Sequence, residues 1–179
     1  MKWEIDPIHS SLGFAAKHLM VSTVRGRFGS VRGEINLDPA EPEKATAEVV
    51  IDAASVETGM PMRDNHLRSA DFFEAEKYPH LTYRVSGVHR LGPDRFRVDG
   101  DLTIRDVTKP VSLEAEISDL MVDSKRGTRL GISATGSIDR TAFGLRWNQS
   151  LEAGGVLVSE RIKLELEITA VQVAAAVAA

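Results

Sequence analysis

Apolar and polar residues alternate with a period of two along most of this chain, the pattern of strands that bury one face and solvate the other. The clearest runs are Leu12, Phe14, Ala16 and His18; Ala45, Ala47, Val49 and Ile51; Leu81, Tyr83 and Val85; Phe96, Val98, Gly100, Leu102 and Ile104; Val111, Leu113, Ala115 and Ile117; Leu130, Ile132, Ala134, Gly136 and Ile138; and Ile162, Leu164, Leu166 and Ile168. The stretch from Phe28 to Leu37 adds a further strand, and Trp3-Glu4-Ile5 a short one in front. Turn formers separate the runs at Asp38-Pro39, Gly92-Pro93-Asp94, Arg105-Asp106 and Lys125-Arg126-Gly127, spacings suited to antiparallel neighbours. The expected fold is all-β, with roughly eight strands in an up-and-down meander, a number that closes into a barrel filled by side chains or holding one small ligand. A two-sheet sandwich is the alternative that alternation alone leaves open.

Two connections are too long for a plain meander, one from Asp52 to Pro79 and one from Asp139 to Ser159. Loops beyond ~12–15 residues are uncommon in compact domains unless they serve a function. In the first, Asp64 and Ser69 are each placed to cap a short helical turn, and Leu67, Phe72 and Phe73 supply an apolar face. The second carries Phe143, Leu145 and Trp147 among Gly144, Gly154 and Gly155. Both are expected to be ordered lids that bring large apolar side chains to a barrel rim. Arg25-Gly26-Arg27-Phe28-Gly29 reads as a bend at a barrel corner.

A length of 179 residues fits a single domain spanning 1–179, and 42% apolar with 27% charged residues suffices for a core without staples. The net charge of -4 and the lack of a basic run give no electrostatic reason to expect nucleic acid. The absence of cysteine excludes disulfides and thiolate chemistry. Charged residues in Met1-Lys2-Trp3-Glu4-Ile5-Asp6-Pro7 stand where a secretory leader needs an apolar run, so the expected location is cytoplasmic unless a leader has been removed. No run reaches the ~18–20 apolar residues of a membrane span, and Val171 to Ala179 is too short to cross.

The histidines His9, His18, His66, His80 and His89 form no close pair, so no metal site is expected. Gly-x-Ser-x-Gly is absent, as is a strand-to-helix phosphate loop, and no cofactor is expected. Glu74 and Glu76, on a turn, read as solvating charges. Two polar groups remain. His18 is in phase with Leu12, Phe14 and Ala16 and so faces inward; it either bonds a carbonyl or hydroxyl of the wall or fixes the polar head of an apolar ligand. Arg63-Asp64-Asn65-His66 is the second. Its local reading has Asp64 capping, Arg63 paired with a nearby acid and His66 solvated; its functional reading puts Arg63 and His66 at the ligand.

At these residues the chain resembles the YceI-like family of lipid-binding proteins, often described as polyisoprenoid-binding. The resemblance is carried by Trp3-Glu4-Ile5-Asp6-Pro7-Ile8-His9-Ser10, by Phe14-Ala15-Ala16-Lys17-His18-Leu19 running to Val24-Arg25-Gly26-Arg27-Phe28, and by Thr58 ahead of Arg63 to Phe73, then Tyr78-Pro79. Gly100-Asp101-Leu102-Thr103-Ile104, Thr108-Lys109-Pro110-Val111 and Ile138 to Gly144 complete it, in family order over nearly the whole chain. It implies an extended eight-stranded antiparallel β-barrel of lipocalin type with short helical segments in its loops. It further implies an elongated apolar pore, a polyisoprenoid, isoprenoid quinone or similar long-chain amphiphile within it, and a homodimer. The candidate ligand-binding residues are then Phe14, His18, Phe28, Arg63, His66, Leu67, Phe72, Leu102, Phe143 and Trp147. The chain departs from the family at Asp106, where glycine is usual and left-handed backbone is expected, and at Tyr83, where phenylalanine is common and the hydroxyl needs a partner.

The expected function is non-enzymatic carriage or storage of such a lipid. An enzyme acting on an isoprenoid-like substrate, with His18 or His66 as acid-base group, is the alternative. A packed barrel serving only protein contacts is the third reading.

Overall fold

The computed structural model of the protein describes residues 1–174; residues 175–179, the end of the alanine-rich tail, lie outside the described residues. Twelve strands run in chain order as β1 (Lys2–Ile5), β2 (Ser11–His18), β3 (Ser22–Phe28), β4 (Val31–Asn36), β5 (Thr46–Asp52), β6 (Val56–Glu57), β7 (His80–Arg90), β8 (Arg95–Ile104), β9 (Val107–Ile117), β10 (Met121–Asp123), β11 (Gly127–Asp139) and β12 (Arg161–Gln172). One helix, α1 (Pro61–Arg68), and 3-10 turns at Pro42–Lys44, Ala53–Ser55 and Arg140–Phe143 lie between them.

The twelve segments make eight staves. Both β1 and β2 lie antiparallel to β12, at Ile5↔Ala170 and Leu12↔Leu166, so they are two halves of one interrupted strand. β3 pairs with β2 while β4 pairs with β1, and β5 and β6 follow them in turn. β9 and β10 share one side of β11. Every remaining neighbour is next in sequence, and β12 pairs along its length with β11 while its other side meets β1 and β2. The up-and-down meander therefore closes into an eight-stranded antiparallel barrel, which excludes the open sandwich.

The break between β1 and β2 is fastened by Asp6. Its carboxylate accepts from the Ile8 N–H at 3.0 Å, from Arg129 at 3.0 Å, and faces the His9 Nδ1 at 2.8 Å. The His9 contact, with the backbone N–H groups behind it, holds this carboxyl below its ordinary pKa.

Alternation predicted most staves but not β3. Arg25 to Phe28 is strand rather than bend, with Val24, Gly26 and Phe28 turned inward between Thr23, Arg25 and Arg27. A Cβ on Gly26 would lie 2.4 Å from the Phe14 ring, so the glycine that erases the apolar pattern is what admits the ring.

The lid helix also differs from expectation. Pro61, which lacks an N–H and presets φ, opens α1, so Asp64 falls inside it rather than at its N-cap, and Ser69 stands at its C-terminal end. The Asp64 carboxylate instead reaches back to the Thr58 N–H at 2.8 Å and hydroxyl at 2.6 Å. At the β8–β9 turn the left-handed residue is Arg105, at φ 57°, not Asp106.

Outward positions of β12 are Arg161, Lys163, Glu165 and Glu167, all exposed. A charged exterior around an apolar interior is the inverse of a transmembrane barrel, whose outer band faces lipid. Among the described residues no helix is long and apolar enough to cross a membrane.

Candidate functional site: a lidded apolar pore

The inward side chains do not fill the barrel. They enclose an elongated cavity of about 410 Å³, within the ~300–1,000 Å³ range of small-molecule sites. Its wall is the set of inward alternating residues, among them Val49 of β5, Tyr83 of β7, Leu102 of β8, Leu113 of β9, Ala134 of β11 and Leu164 of β12. Period-two patterning thus supplies the apolar lining directly, since every second residue of each stave points into the pore. The Tyr83 phenol stands on the mid-barrel wall. It donates to the Val111 carbonyl at 2.9 Å, and burial pushes its pKa up from the ordinary value, so it is satisfied by the wall.

One end of the pore is plugged. Leu37 and Pro42 are buried against its lining, and the fully buried Trp3 donates its indole N–H to the Leu37 carbonyl at 2.9 Å. The exposed Thr46 is the polar lining residue beside the plug, whereas Lys17, His18, Thr58, Arg63, His66, Leu157 and Val158 line the other end. Both long connections lie there.

The first lid is built on α1. Arg68 clamps it to the barrel through the Ala54 carbonyl at 2.7 Å and the Val56 carbonyl at 2.8 Å. Arg63 bonds Thr58, from Nε to the hydroxyl at 2.7 Å and from the second terminal nitrogen to the carbonyl at 3.1 Å; no acid pairs with it among the described residues. Beyond the helix, Glu74 receives Arg105 of the β8–β9 turn at 2.9 Å. Phe73 continues an aromatic row into the pore, Phe14 to Phe28 at 5.7 Å and Phe28 to Phe73 at 5.5 Å.

The second lid is organised by a residue the sequence pattern did not single out. Arg140 is buried, yet it faces no carboxylate within ion-pair distance among the described residues. Its guanidinium donates to the carbonyls of Leu145 at 2.7 Å, Trp147 at 2.9 Å, Ser159 at 2.9 Å and Val158 at 3.3 Å. Burial lowers its pKa from the ordinary value. In sequence, Arg140 beside Asp139 resembles a surface pair; its burial follows from the chain folding back at Glu160, whose carbonyl accepts the Arg140 N–H at 2.9 Å.

The lids meet at His66. Its ring stands edge-on to Trp147 at 4.5 Å and to Phe72 at 5.1 Å, and its Nε2 lies 2.9 Å from Asp71. Nine of the ten candidate residues, Phe14, His18, Phe28, Arg63, His66, Leu67, Phe72, Leu102 and Trp147, are on the cavity wall. Phe143 is not: it is buried in the 3-10 turn and packs in the core beside the pore. The His18 imidazole has no hydrogen-bond partner among the described residues, while its backbone bridges Val158 of the second lid.

The profile of the YceI-like domain matches residues 3–170. The chain belongs to the YceI-like family. A UPF0312 protein of Staphylococcus aureus is 37% identical to this YceI-like chain over 165 residues, covering 89% of it and 91% of the relative. The crystal structure of a Campylobacter jejuni YceI protein superposes with a TM-score of 0.77 at 33% identity, covering 88% of this chain and 90% of that one. BcnA of Burkholderia cenocepacia shares the fold with a TM-score of 0.81 at 21% identity, over 92% of this chain and 98% of that one. A polyisoprenoid-binding domain from Saccharophagus degradans shares it with a TM-score of 0.71 at 18% identity, over 96% and 98%.

Proposed function

We propose that this YceI-like protein carries or stores a long-chain isoprenoid-like lipid, with its tail along the barrel axis and its polar head beneath the lids. The observation that carries this reading is the continuous apolar cavity whose charged and imidazole side chains gather at the lidded end. An aliphatic chain can satisfy the mid-barrel wall, which among the described residues offers no buried unpaired side-chain polar atom. Arg63, His66 and His18 at the lid end suit an electron-rich head such as a quinone carbonyl, hydroxyl or phosphate. The Saccharophagus degradans domain, which has the same fold, is described as polyisoprenoid-binding.

Burying a CH₂ contributes ~0.8 kcal/mol, offset by ordering and association costs. Affinity is therefore expected to rise at least about tenfold, ~1.4 kcal/mol, per added isoprene unit until the pore is full. Trp147 on the cavity wall reports the titration, while Trp3 is buried outside it. The fluorescence change should vanish in Trp147→Phe, and isoprenols of increasing length that bind equally would sink the reading.

The alternative of an enzyme draws on the His66–Asp71 contact, the arrangement that orients an imidazole for proton transfer. Conversion of a pore-bound isoprenoid, abolished in His66→Ala with binding retained, would favour it over carriage.

The protein is further proposed to act as a homodimer through the plugged end. There β10 leaves one edge unpaired at the margin of the sheet, and Leu91, Leu120, Met121 and Val122 are exposed; an apolar open edge is a template for pairing. Met121→Lys with Val122→Lys should shift the sedimentation coefficient from dimer to monomer. A wild-type monomer at all concentrations would refute this.

A further inference from the structure

The hairpin between β2 and β3 ends in Leu19-Met20-Val21, and all three side chains are exposed, at 45%, 68% and 82%. Val21 N–H closes the turn on the His18 carbonyl at 3.2 Å. The two central residues, Leu19 and Met20, have φ of 54° and 59°. A β-turn with positive φ at both central positions favours Asn-Gly there, because a Cβ in left-handed backbone crowds the neighbouring carbonyl. This turn therefore holds two large apolar residues where backbone sterics and solvation both disfavour them.

The tip is continuous with the mouth of the pore. Lys17 and His18, immediately before it, line the cavity. Leu19 N–H donates to the Leu157 carbonyl at 2.8 Å, and Leu157 and Val158 line the cavity too. Met20 lies over the second lid, where a Cβ on Gly155 would sit 2.6 Å from its sulfur. The partly exposed Val156 extends the same apolar surface. Beside it, the exposed Lys17 ammonium bonds only the Thr23 hydroxyl, at 2.9 Å, and meets no carboxylate among the described residues.

We infer that Leu19, Met20 and Val21 form a bilayer-docking tip that inserts into a phospholipid surface and sets the lidded mouth of the pore against it. The tip turns only apolar side chains to solvent, and Lys17 beside it is placed to meet lipid phosphates. A ligand with a long aliphatic tail resides in membrane rather than in water, so loading needs such a contact. The purpose of the tip rests on the carrier reading, but its test does not.

The chain has no cysteine, so Val21→Cys and, on the outer face of β7 away from the mouth, the exposed Ser86→Cys each give a unique site for an environment-sensitive fluorophore. With phosphatidylethanolamine–phosphatidylglycerol vesicles, the label at position 21 is expected to shift to the blue and the label at 86 to stay unchanged. Leu19→Asn with Met20→Gly should raise the melting temperature by relaxing the turn and lower vesicle partitioning at least tenfold. Because neither residue lines the cavity, farnesol binding in vesicle-free solution should be unaltered. A shift at 86 instead of 21, a shift at 21 that follows protein concentration without vesicles, or undiminished partitioning of the double variant would each overturn the docking tip. Loss of farnesol binding in the wild type would overturn carriage while leaving the vesicle result to decide the tip.

Discussion

Ala134→Phe is expected to abolish binding of long-chain isoprenoids while leaving a folded barrel. Ala134 lies midway along β11, paired with Ala115 of β9 and Leu166 of β12, and its Cβ points into the cavity. A phenyl ring there enters existing free volume and brings no polar atom that needs a partner. Aromatic residues fit pleated strands well, and overpacking at a wall costs ~1–3 kcal/mol where neighbours must move. The ring obstructs the middle of the pore, so a chain long enough to span it loses the contacts beyond the block. The longest ligands should bind at least about 100-fold more weakly, ~2.7 kcal/mol, whereas one confined to the lid end should lose little. Calorimetric titration with isoprenols of graded length, together with the Trp147 signal, reads this directly. Unchanged long-chain affinity in a variant with the native melting transition would place the ligand outside the pore and remove the carrier reading.

The barrel is legible in the sequence because its physics is local. Most positions of β8, β11 and β12 alternate an inward apolar residue with an outward polar one, and Arg161, Lys163, Glu165 and Glu167 against Ile162, Leu164, Leu166 and Ile168 is the plainest case. What alternation cannot show is a position where the inward residue is shaped by something distant. Gly26 yields its side-chain volume to Phe14, and the signal of β3 disappears with it. The interruptions between β1 and β2, and between β5 and β6, likewise depend on Asp6 and on the turn at Ala53–Ser55, each acting through non-periodic hydrogen bonds.

The lids divide in the same way. Their apolar content was readable, and Leu67, Phe72 and Trp147 are indeed on the cavity wall. Their fastening was not. Asp64 has the composition of an N-cap, yet Pro61 sets the start of α1 earlier and the carboxylate serves Thr58 instead. Phe143 resembles Leu145 and Trp147 in hydropathy, but the left-handed Gly144 that ends its 3-10 turn separates it from them, and only Leu145 and Trp147 reach the pore. A composition that marks a lid thus does not state which of its side chains face the ligand.

Arg140→Met is expected to release the second lid without unfolding the barrel. The substitution keeps a long side chain in a buried site but removes the donors that four lid carbonyls share. Hydrogen bonds from a charged donor contribute ~1.5–3 kcal/mol each, and an acceptor left buried and unpaired costs ~1–3 kcal/mol. These terms are not additive, because the lid can move into water rather than remain unsatisfied, and Asn148 still donates to the Val158 carbonyl at 2.8 Å. A net loss of about 3–4 kcal/mol, confined to the lid, is the consistent outcome. It corresponds to amide exchange faster by ~10²–10³ for residues 141–160, with β7 and β8 protected as in the wild type because their ladder lies away from the Arg140 turn. Ligand should then dissociate faster, since Trp147 would no longer be held against His66 and Phe72 over the pore. Hydrogen-exchange mass spectrometry resolves the three possibilities. Local loss supports Arg140 as the keystone of the lid, uniform loss would make it a support of the whole barrel, and no loss would mean that the chain's own packing holds the lid shut.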